Sequence, residues 1–181
     1  MILDFNGKRP QFNATVFIAP NATVIGDVEL GPEVNIWFYS LLRGDANTIR
    51  VGKGCNIQDA CVLHADEGRF ALTLEEGVVL GHRVTVHGCH ICQGAMIGMR
   101  ATVLNGARIG EESIVGAGAV VSPDTVIPPR VLALGIPARP FRQLETKDIE
   151  MIGDIRRKYR ELMKTYRNLL AARSPSPQGG A

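Results

Sequence analysis

The sequence has few of the features that mark several common protein classes. Only 6% of its 181 residues are aromatic and there is a single Trp, so we do not expect a bulky globular core. The 20 Lys and Arg nearly balance the 18 Asp and Glu, which gives no reason to expect nucleic acid or an acidic surface as a partner. No run of 18 apolar residues is present, so we expect no contact with a membrane through a spanning helix.

The first residues also lack the pattern of a targeting signal. The segment MILDFNGKRPQF holds no long apolar run and becomes polar at its fourth residue, unlike a secretory signal or a transit peptide. The four cysteines, at positions 55, 61, 89 and 92, are then expected to be reduced thiols. These features predict a cytoplasmic protein.

The dominant pattern in the chain is a six-residue repeat. Over most of residues 18–127 an aliphatic residue recurs every six positions, and a small or β-branched residue usually follows it four positions later. The aliphatic positions are Ile18, Val24, Leu30, Ile36, Leu42, Val51, Ile57, Leu63, Leu74, Leu80, Val86, Ile91, Ile97, Val103, Ile109, Val115, Val121 and Ile127. Neither an amphipathic helix nor a hairpin strand keeps a period of six. With glycines at the corners, this period is typical of the hexapeptide β-helix.

We therefore predict an all-β, left-handed parallel β-helix shaped as a triangular prism, with three hexapeptides in each coil. The left-handed winding of the coil is implied by the resemblance to hexapeptide-repeat proteins. Residues 1–140 form this domain, and Cys55 and Cys61 occupy its small core positions. From Thr146 to Leu170 the apolar residues recur at helical spacing, which predicts a C-terminal helix within residues 141–172, packed along the prism. Its basic second half is interpreted as a solvated face. Residues 173–181 are predicted to be a disordered tail.

The repeat assigns the histidines to particular faces. We name the three faces by their inward residues: face A by Leu42, Leu63 and Val86, face B by Val51 and Leu74, and face C by Ile57 and Leu80. Longer steps predict loops at residues 47–50 and 66–72. Arg43, His64 and His87 each follow a face-A residue, so they should form one column, about 4.8 Å apart. Two imidazoles at that spacing can share a metal ion.

A third histidine lies on a different face. His82 comes two places after Leu80 on face C, and Asp59 lies in the same column one coil earlier. Because adjacent faces of a triangular prism point in different directions, His82 is poorly placed to join His64 and His87 within one chain. A homotrimer around a three-fold axis would bring face C of one chain against face A of the next. Three imidazoles with an open fourth position are typical of catalytic Zn²⁺, and Fe²⁺ or Co²⁺ could use the same ligands.

The remaining candidates have simpler interpretations. His90 lies outside the column and is interpreted as having no part in this site. Cys89 and Cys92 form a CxxC pair, but the chain holds no second CxxC that would complete a four-cysteine zinc site. We interpret both cysteines as ordinary repeat positions.

Several motifs resemble those of the γ-class carbonic anhydrases, and in particular the bacterial members with a short loop. They are Leu42-Arg43-Gly44-Asp45, Asn56-Ile57-Gln58-Asp59, His64, Gly81-His82, His87-Gly88-Cys89, Ile97-Gly98-Met99 and Gly135-Ile136-Pro137-Ala138. The resemblance implies a trimer in which His64 and His87 of one subunit and His82 of its neighbour bind the metal. It also implies that Arg43, Asp45 and Asp59 brace the interface, and that Gln58, with Asn56, hydrogen-bonds the metal-bound water or hydroxide. The two acids could equally be salt-bridge partners of Arg43.

The implied activity is the reversible hydration of CO2 to bicarbonate. Zinc lowers the pKa of bound water to about 7, so that a metal-bound hydroxide attacks CO2 at neutral pH. Two departures from archaeal members stand out: the loop that carries their proposed proton-shuttle glutamate is short here, leaving Glu67 as a weak substitute, and Ala46 stands where they have a glutamate. Three alternatives stay open at this point: hydrolysis of an acyl-CoA thioester, acyl transfer without a metal, and a trimeric scaffold with a vestigial site.

Overall fold

The computed structural model describes residues 1–173. The tail predicted for residues 173–181 lies outside these residues, apart from Arg173, the last residue of the helix. The strands are β1 (Ile2–Leu3), β2 (Phe17–Ile18), β3 (Thr23–Leu30), β4 (Asn35–Ile36), β5 (Leu41–Val51), β6 (Asn56–Ile57), β7 (Val62–His64), β8 (Leu72–Leu74), β9 (Val79–Leu80), β10 (Thr85–His87), β11 (His90–Ile91), β12 (Met96–Ile97), β13 (Thr102–Val103), β14 (Arg108–Ile109), β15 (Ile114–Val115), β16 (Val120–Val121), β17 (Val126–Ile127), β18 (Val131–Gly135) and β19 (Ala138–Gln143). The helix α1 spans Thr146–Arg173.

The strands wind into a parallel solenoid of about seven turns, which confirms the predicted left-handed parallel β-helix with a single C-terminal helix. Face A holds the first halves of β3 and β5, then β7, β10, β13 and β16. Face B holds the second halves of β3 and β5, then β8, β11, β14 and β17. Face C runs from β2 to β18 and ends with the antiparallel strand β19.

The interior is filled by one column of aliphatic side chains from each face. Residues aligned by the ladders, such as Leu42 with Leu63 and Ile57 with Leu80, are fully buried. Cys55 and Cys61 are also fully buried, as predicted for small core positions. Because each layer repeats the layer below it, thin aliphatic side chains fill the prism at close packing without a large aromatic cluster.

Both extra segments lie nearer the N-terminus than the six-residue count predicts, the first by two residues and the second by one. Ile49 pairs with Leu72 in the ladder, and both side chains are fully buried. They precede Val51 and Leu74 by two places, and alternate residues of a strand point to the same side. The first extra segment is a bulge at residues 45–48, which lies opposite Asp27 between the pairs Gly26–Gly44 and Val28–Ile49. The second is the loop at residues 65–71.

The helix α1 covers face C. The ring of Trp37, in the turn after β4, lies 5.2 Å from the Tyr159 ring and 5.3 Å from the Tyr166 ring, measured between centroids. Nearer the start of the helix, Ile152 is buried with Val79 and Ile114. With Phe17 and Phe38, the rings of Trp37 and the two tyrosines form one aromatic cluster where the helix meets the prism. No helix in residues 1–173 has the length and apolar character needed to cross a membrane.

Candidate metal centre

The predicted column on face A is present. The ladder aligns Arg43 with His64 and His64 with His87 on three consecutive coils. The two imidazole ring centroids are 4.9 Å apart, and Nδ1 of His64 lies 2.9 Å from Nε2 of His87. The strand ladder itself therefore brings two ring nitrogens together.

An oxygen atom holds the far nitrogen of each ring. Nε2 of His64 lies 3.0 Å from Oδ1 of Asp45, and Nδ1 of His87 lies 2.5 Å from Oδ1 of Asn105. Because a neutral imidazole has one N–H donor and one acceptor nitrogen, these contacts place the donor N–H on the far side of each ring. The lone pairs of His64 Nδ1 and His87 Nε2 then point into the space between the rings.

Two facing lone pairs at 2.9 Å repel each other unless a cation lies beside them. A metal-binding histidine usually donates its other N–H to a carboxylate or carbonyl oxygen, which fixes the tautomer and the ring orientation. The pair His64 and His87 meets this condition, so its donor set fits a divalent metal such as Zn²⁺.

The bulge on β5 places the oxygen that orients His64. Gly44 directly precedes the bulge, and its backbone lies so close to the preceding coil that an added Cβ would be 2.6 Å from the carbonyl oxygen of Asp27. Asp45 follows, and its Oδ2 accepts a bond of 2.5 Å from Nη1 of Arg43. Partial burial opposes ionisation of Asp45, but the hydrogen bonds from Arg43 and His64 outweigh it and lower the pKa of this carboxyl. Asp45 is therefore a carboxylate at neutral pH.

A close backbone approach also allows the contact to His87. Gly88 has a φ of +50°, and an added Cβ would lie only 2.7 Å from Oδ1 of Asn105. Nδ2 of Asn105 donates to Oδ2 of Asp66 at 3.1 Å, which fixes the orientation of the amide. Asn47 donates in turn to the carbonyl oxygen of Asp66 at 3.0 Å. The bulge and the loop together support this side of the site.

His82 has the same kind of support on a different face. Its Nδ1 lies 2.9 Å from Oδ2 of Asp59, whose Oδ1 accepts the backbone N–H of Phe38 at 3.1 Å. The hydroxyl of Tyr159, on the helix, lies 3.3 Å from Nε2 of His82. The His82 side chain is 41% exposed, so part of the ring faces solvent.

Gln58 and Asn56 lie on face C rather than beside the histidine pair. Both are buried, at 5% and 1% exposure. Nε2 of Gln58 donates to Oδ1 of Asn56 at 3.0 Å, and Asn56 donates to Oδ1 of Asn35 at 2.5 Å. Within one chain, these amides share face C with His82 and Asp59.

The residues named from the sequence thus form two groups. Arg43, Asp45, His64 and His87 are in contact on face A, whereas Asn56, Gln58, Asp59 and His82 lie on face C. Over residues 1–173, the one group of three metal-ligating side chains that is already close together is a different one, Glu75, His90 and Cys92. Glu67 is exposed in the loop that follows β7.

Three residues in contact with these groups were not predicted from the sequence: Asn105, Asp66 and Tyr159. Asn105 could have been found, because it follows His87 by 18 residues, which is the length of one coil of three hexapeptides. Asp66 and Tyr159 carried no such signal, since the path of a loop and the rotation of a helix about its axis do not follow from the repeat.

The comparisons with known proteins agree with the fold and with the repeat. Residues 88–123 match the family model of the bacterial transferase hexapeptide, with six repeats. A Geobacillus kaustophilus protein named carbonic anhydrase is 41% identical over 96% of this chain and 95% of its own length. The mitochondrial gamma carbonic anhydrase 2 of Arabidopsis thaliana is 37% identical over 88% of this chain, which spans 59% of that protein.

Solved structures give the same fold under other names. A Bacillus cereus protein provisionally named an acetyltransferase has a TM-score of 0.91 and 40% identity, covering 93% of this chain and 97% of its own. A hexapeptide transferase family protein from Anaplasma phagocytophilum has a TM-score of 0.85 and 32% identity, covering 91% and 97%. Fold and repeats define a hexapeptide-repeat β-helix protein. At 41% identity over nearly the whole chain, it belongs to the γ-class carbonic anhydrase family.

Proposed function

We propose that this protein is a metal-dependent carbonic anhydrase that works as a homotrimer. In this proposal His64 and His87 of one chain and His82 of its neighbour bind Zn²⁺, with Fe²⁺ or Co²⁺ as alternatives, and the enzyme interconverts CO2 and bicarbonate. The proposal depends above all on the opposed nitrogens of His64 and His87, each ring being oriented by an oxygen on its far side.

The distribution of ligands over two faces supports a site shared between chains. His64 and His87 lie on face A, and His82 lies on face C with Nδ1 on Asp59 and Nε2 near the surface. Because a closed ring of three prisms repeats one contact three times, face A of each chain can meet the exposed edge of face C in the next chain, where His82 lies beside the helix. Three equivalent sites would result, each with its His82 from a neighbouring chain.

At such a site the chain's own residues hold the ligands in their neutral, metal-binding form. Asp45, Asn105 and Asp59 each accept an imidazole N–H, and Arg43 keeps Asp45 ionised. A bound divalent metal would lower the pKa of a water molecule, so that it loses a proton near neutral pH and hydroxide is available to attack CO2. Gln58 and Asn56 would enter from face C together with His82, and we assign Gln58 to hydrogen-bond the reacting water.

Complementation between variants tests the shared site. His64→Ala and His82→Ala should each abolish CO2 hydration, measured by stopped-flow indicator assay, and each should lose the metal ion bound at this site. When the two variants are unfolded together in equal amounts and refolded, about one interface in four pairs an intact His64 chain with an intact His82 chain. Activity should then return to about a quarter of the wild-type value.

The controls separate this result from general damage. The His90→Ala variant should keep full CO2 hydration, because His90 lies outside the column. Each single variant, unfolded and refolded alone, should stay inactive. If mixing restores nothing although both variants fold and form trimers, the ligands do not come from two chains.

Acyl-CoA turnover provides a second readout, because the two solved relatives carry transferase names. The same preparations are assayed with acetyl-CoA for thioester hydrolysis and for transfer to amines. Turnover of the thioester without CO2 hydration would replace the proposed reaction with acyl chemistry. Bound metal without either activity would leave a trimeric scaffold.

A further inference from the structure

A second cluster of metal-ligating groups lies on face B. Leu74 and Ile91 are aligned in the ladder, and Glu75 and Cys92 directly follow them. His90 directly precedes Ile91 and is aligned with Thr73. The three side chains thus leave the same surface of the prism on two adjacent coils, and the ladder fixes their spacing.

The ligand atoms of this cluster are already close to one another. One carboxylate oxygen of Glu75, one ring nitrogen of His90 and Sγ of Cys92 all lie within 4.8 Å of each other. Nε2 of His90 is 2.6 Å from Oε1 of Glu75, and the backbone N–H of Gln93 donates to Oε2 at 2.9 Å. The glutamate is therefore held in place from both sides.

These three atoms are ligands that Zn²⁺ takes in proteins. Zinc binds carboxylate oxygen and imidazole nitrogen at about 2.0–2.2 Å and thiolate sulfur at about 2.3 Å, with tetrahedral geometry. Donor atoms around such an ion are therefore about 3.3–3.8 Å apart. Small side-chain rotations would bring the cluster to these distances.

The surroundings leave room for a fourth ligand. A cavity of about 270 Å³ is lined by Glu75, Cys92, Arg108, Glu111 and Gly110, among others. The side chains of Glu75 and His90 are each 38% exposed, while Cys92 is 6% exposed. An ion could therefore enter from solvent and keep a water at its open position, with the thiol on the protected side.

An ion pair between Glu75 and His90 would explain the contact of 2.6 Å without a metal, but it would give Cys92 no role. Arg108 faces Cys92 and Glu111 lies nearby, so the cluster carries charges of both signs. Burial opposes ionisation of the Cys92 thiol and raises its pKa. A bound cation would stabilise the thiolate directly, and the exposed Arg108 side chain could turn away into solvent.

We propose that Glu75, His90 and Cys92 form a second divalent-metal site on face B, distinct from the histidine column, that binds Zn²⁺ or Co²⁺ through one oxygen, one nitrogen and one sulfur atom. This site lies within one chain, so it does not depend on the trimer or on the proposed hydration of CO2.

Cobalt distinguishes the two sites, because a histidine-only site has no thiolate ligand. Anaerobic titration of the full-length chain with Co²⁺ should produce a thiolate-to-cobalt charge-transfer band in the near ultraviolet, saturating near one ion per chain. The band should disappear in Cys92→Ser. It should persist in Cys89→Ala, the matched control, since Cys89 is buried at a small core position where other coils have alanine.

Two further variants make the test independent of Cys92. His90→Gln should weaken Co²⁺ binding at this band at least about tenfold, while Arg108→Ala, which removes a nearby cation, should strengthen it. His64→Ala should leave the band unchanged whether or not it abolishes CO2 hydration. Absence of the band in wild-type protein, or a band that survives Cys92→Ser in a folded sample, would overturn the proposal.

Discussion

At the scale of single residues, the most informative contacts are those made to the ring nitrogen of each histidine that faces away from the proposed metal position. Asp45, Asn105 and Asp59 each hold the far nitrogen of one histidine. A histidine that hydrogen-bonds only water can rotate and change tautomer, and a metal must then restrict it on binding. These three oxygens remove that freedom before the metal binds.

Asn105 provides the clearest test of this support. The Asn105→Leu variant removes the acceptor for the N–H of His87, and metal affinity at the histidine site should fall by about 10- to 100-fold. Competition with a chromophoric zinc chelator measures the change, in a Cys92→Ser background that removes the face-B cluster.

Exchanging the amide of Asn105 with the carboxylate of Asp66 provides the control for that prediction. In the double variant N105D/D66N the carboxylate moves to position 105 and the amide to position 66, so the hydrogen bond between them persists in reverse. A carboxylate oxygen still accepts the N–H of His87, and affinity should return close to the original value. Equal affinity for Asn105→Leu and the unchanged protein would mean that His87 needs no such support.

The sequence predicted the ligands better than their support. Arg43, His64 and His87 could be aligned because the inward aliphatic residues fix the register, and a column follows from register alone. Asp45 was identified from a motif. Its contact with His64 depends on the bulge at residues 45–48, which the six-residue count placed two residues too late. Tyr159 reaches His82 from the helix, and nothing in the repeat encodes how the helix docks.

At the scale of elements, the corners of the coil impose one backbone conformation on different residues. Equivalent corners between face C and face A hold Tyr39, Ala60, Arg83, Arg100 and Gly118, with φ values of 62°, 58°, 61°, 61° and 70°. Residues other than glycine rarely adopt this left-handed region. Because tyrosine, alanine, arginine and glycine all adopt it at this position, the coil rather than the residue determines the conformation.

Gly118 allows the energy of such a corner to be measured without steric effects. A Cβ added there would have no atom within 4 Å, so Gly118→Ala introduces backbone strain alone. We expect it to lower the free energy of unfolding by about 1 kcal/mol, as measured by chemical denaturation.

The reverse change at an equivalent corner is the matched control. Ala60→Gly relieves the same strain and should not destabilise the protein by more than a few tenths of a kcal/mol, because the gain offsets the added freedom of the unfolded chain. A Gly118→Ala variant as stable as the original would show that the corner tolerates alanine without strain.

At the scale of the whole molecule, the buried cysteines link folding to pH. Burial raises the pKa of Cys55, Cys61 and Cys89 to about 12 in the folded chain, against about 8.5 for an exposed thiol. The folded state therefore keeps its protons in a range where the unfolded state releases them. The stabilisation is complete below about pH 8.5 and is lost as the pH rises towards 12.

This linkage predicts a measurable loss of stability in alkaline solution. Between pH 9 and 10.5 the free energy of unfolding should fall by up to about 1.4 kcal/mol per pH unit for each buried thiol. Cys61→Ala should show a shallower fall than the unchanged protein, measured by denaturation at several pH values under reducing conditions. Parallel slopes for the two proteins would show that Cys61 ionises as readily in the folded state as in the unfolded one.

The ladder that aligns His64 with His87 also fixes the spacing of residues along the prism axis in units of one coil. The distance between the two ligands is set by hydrogen bonds between peptide groups, which every coil repeats regardless of its side chains. A whole coil gained or lost elsewhere in the stack would leave that distance unchanged. A residue added to the loop at 65–71 would be absorbed there, whereas one added inside β10 would turn an imidazole towards the interior. Such a molecule can change its length by whole coils over generations while its site stays the same.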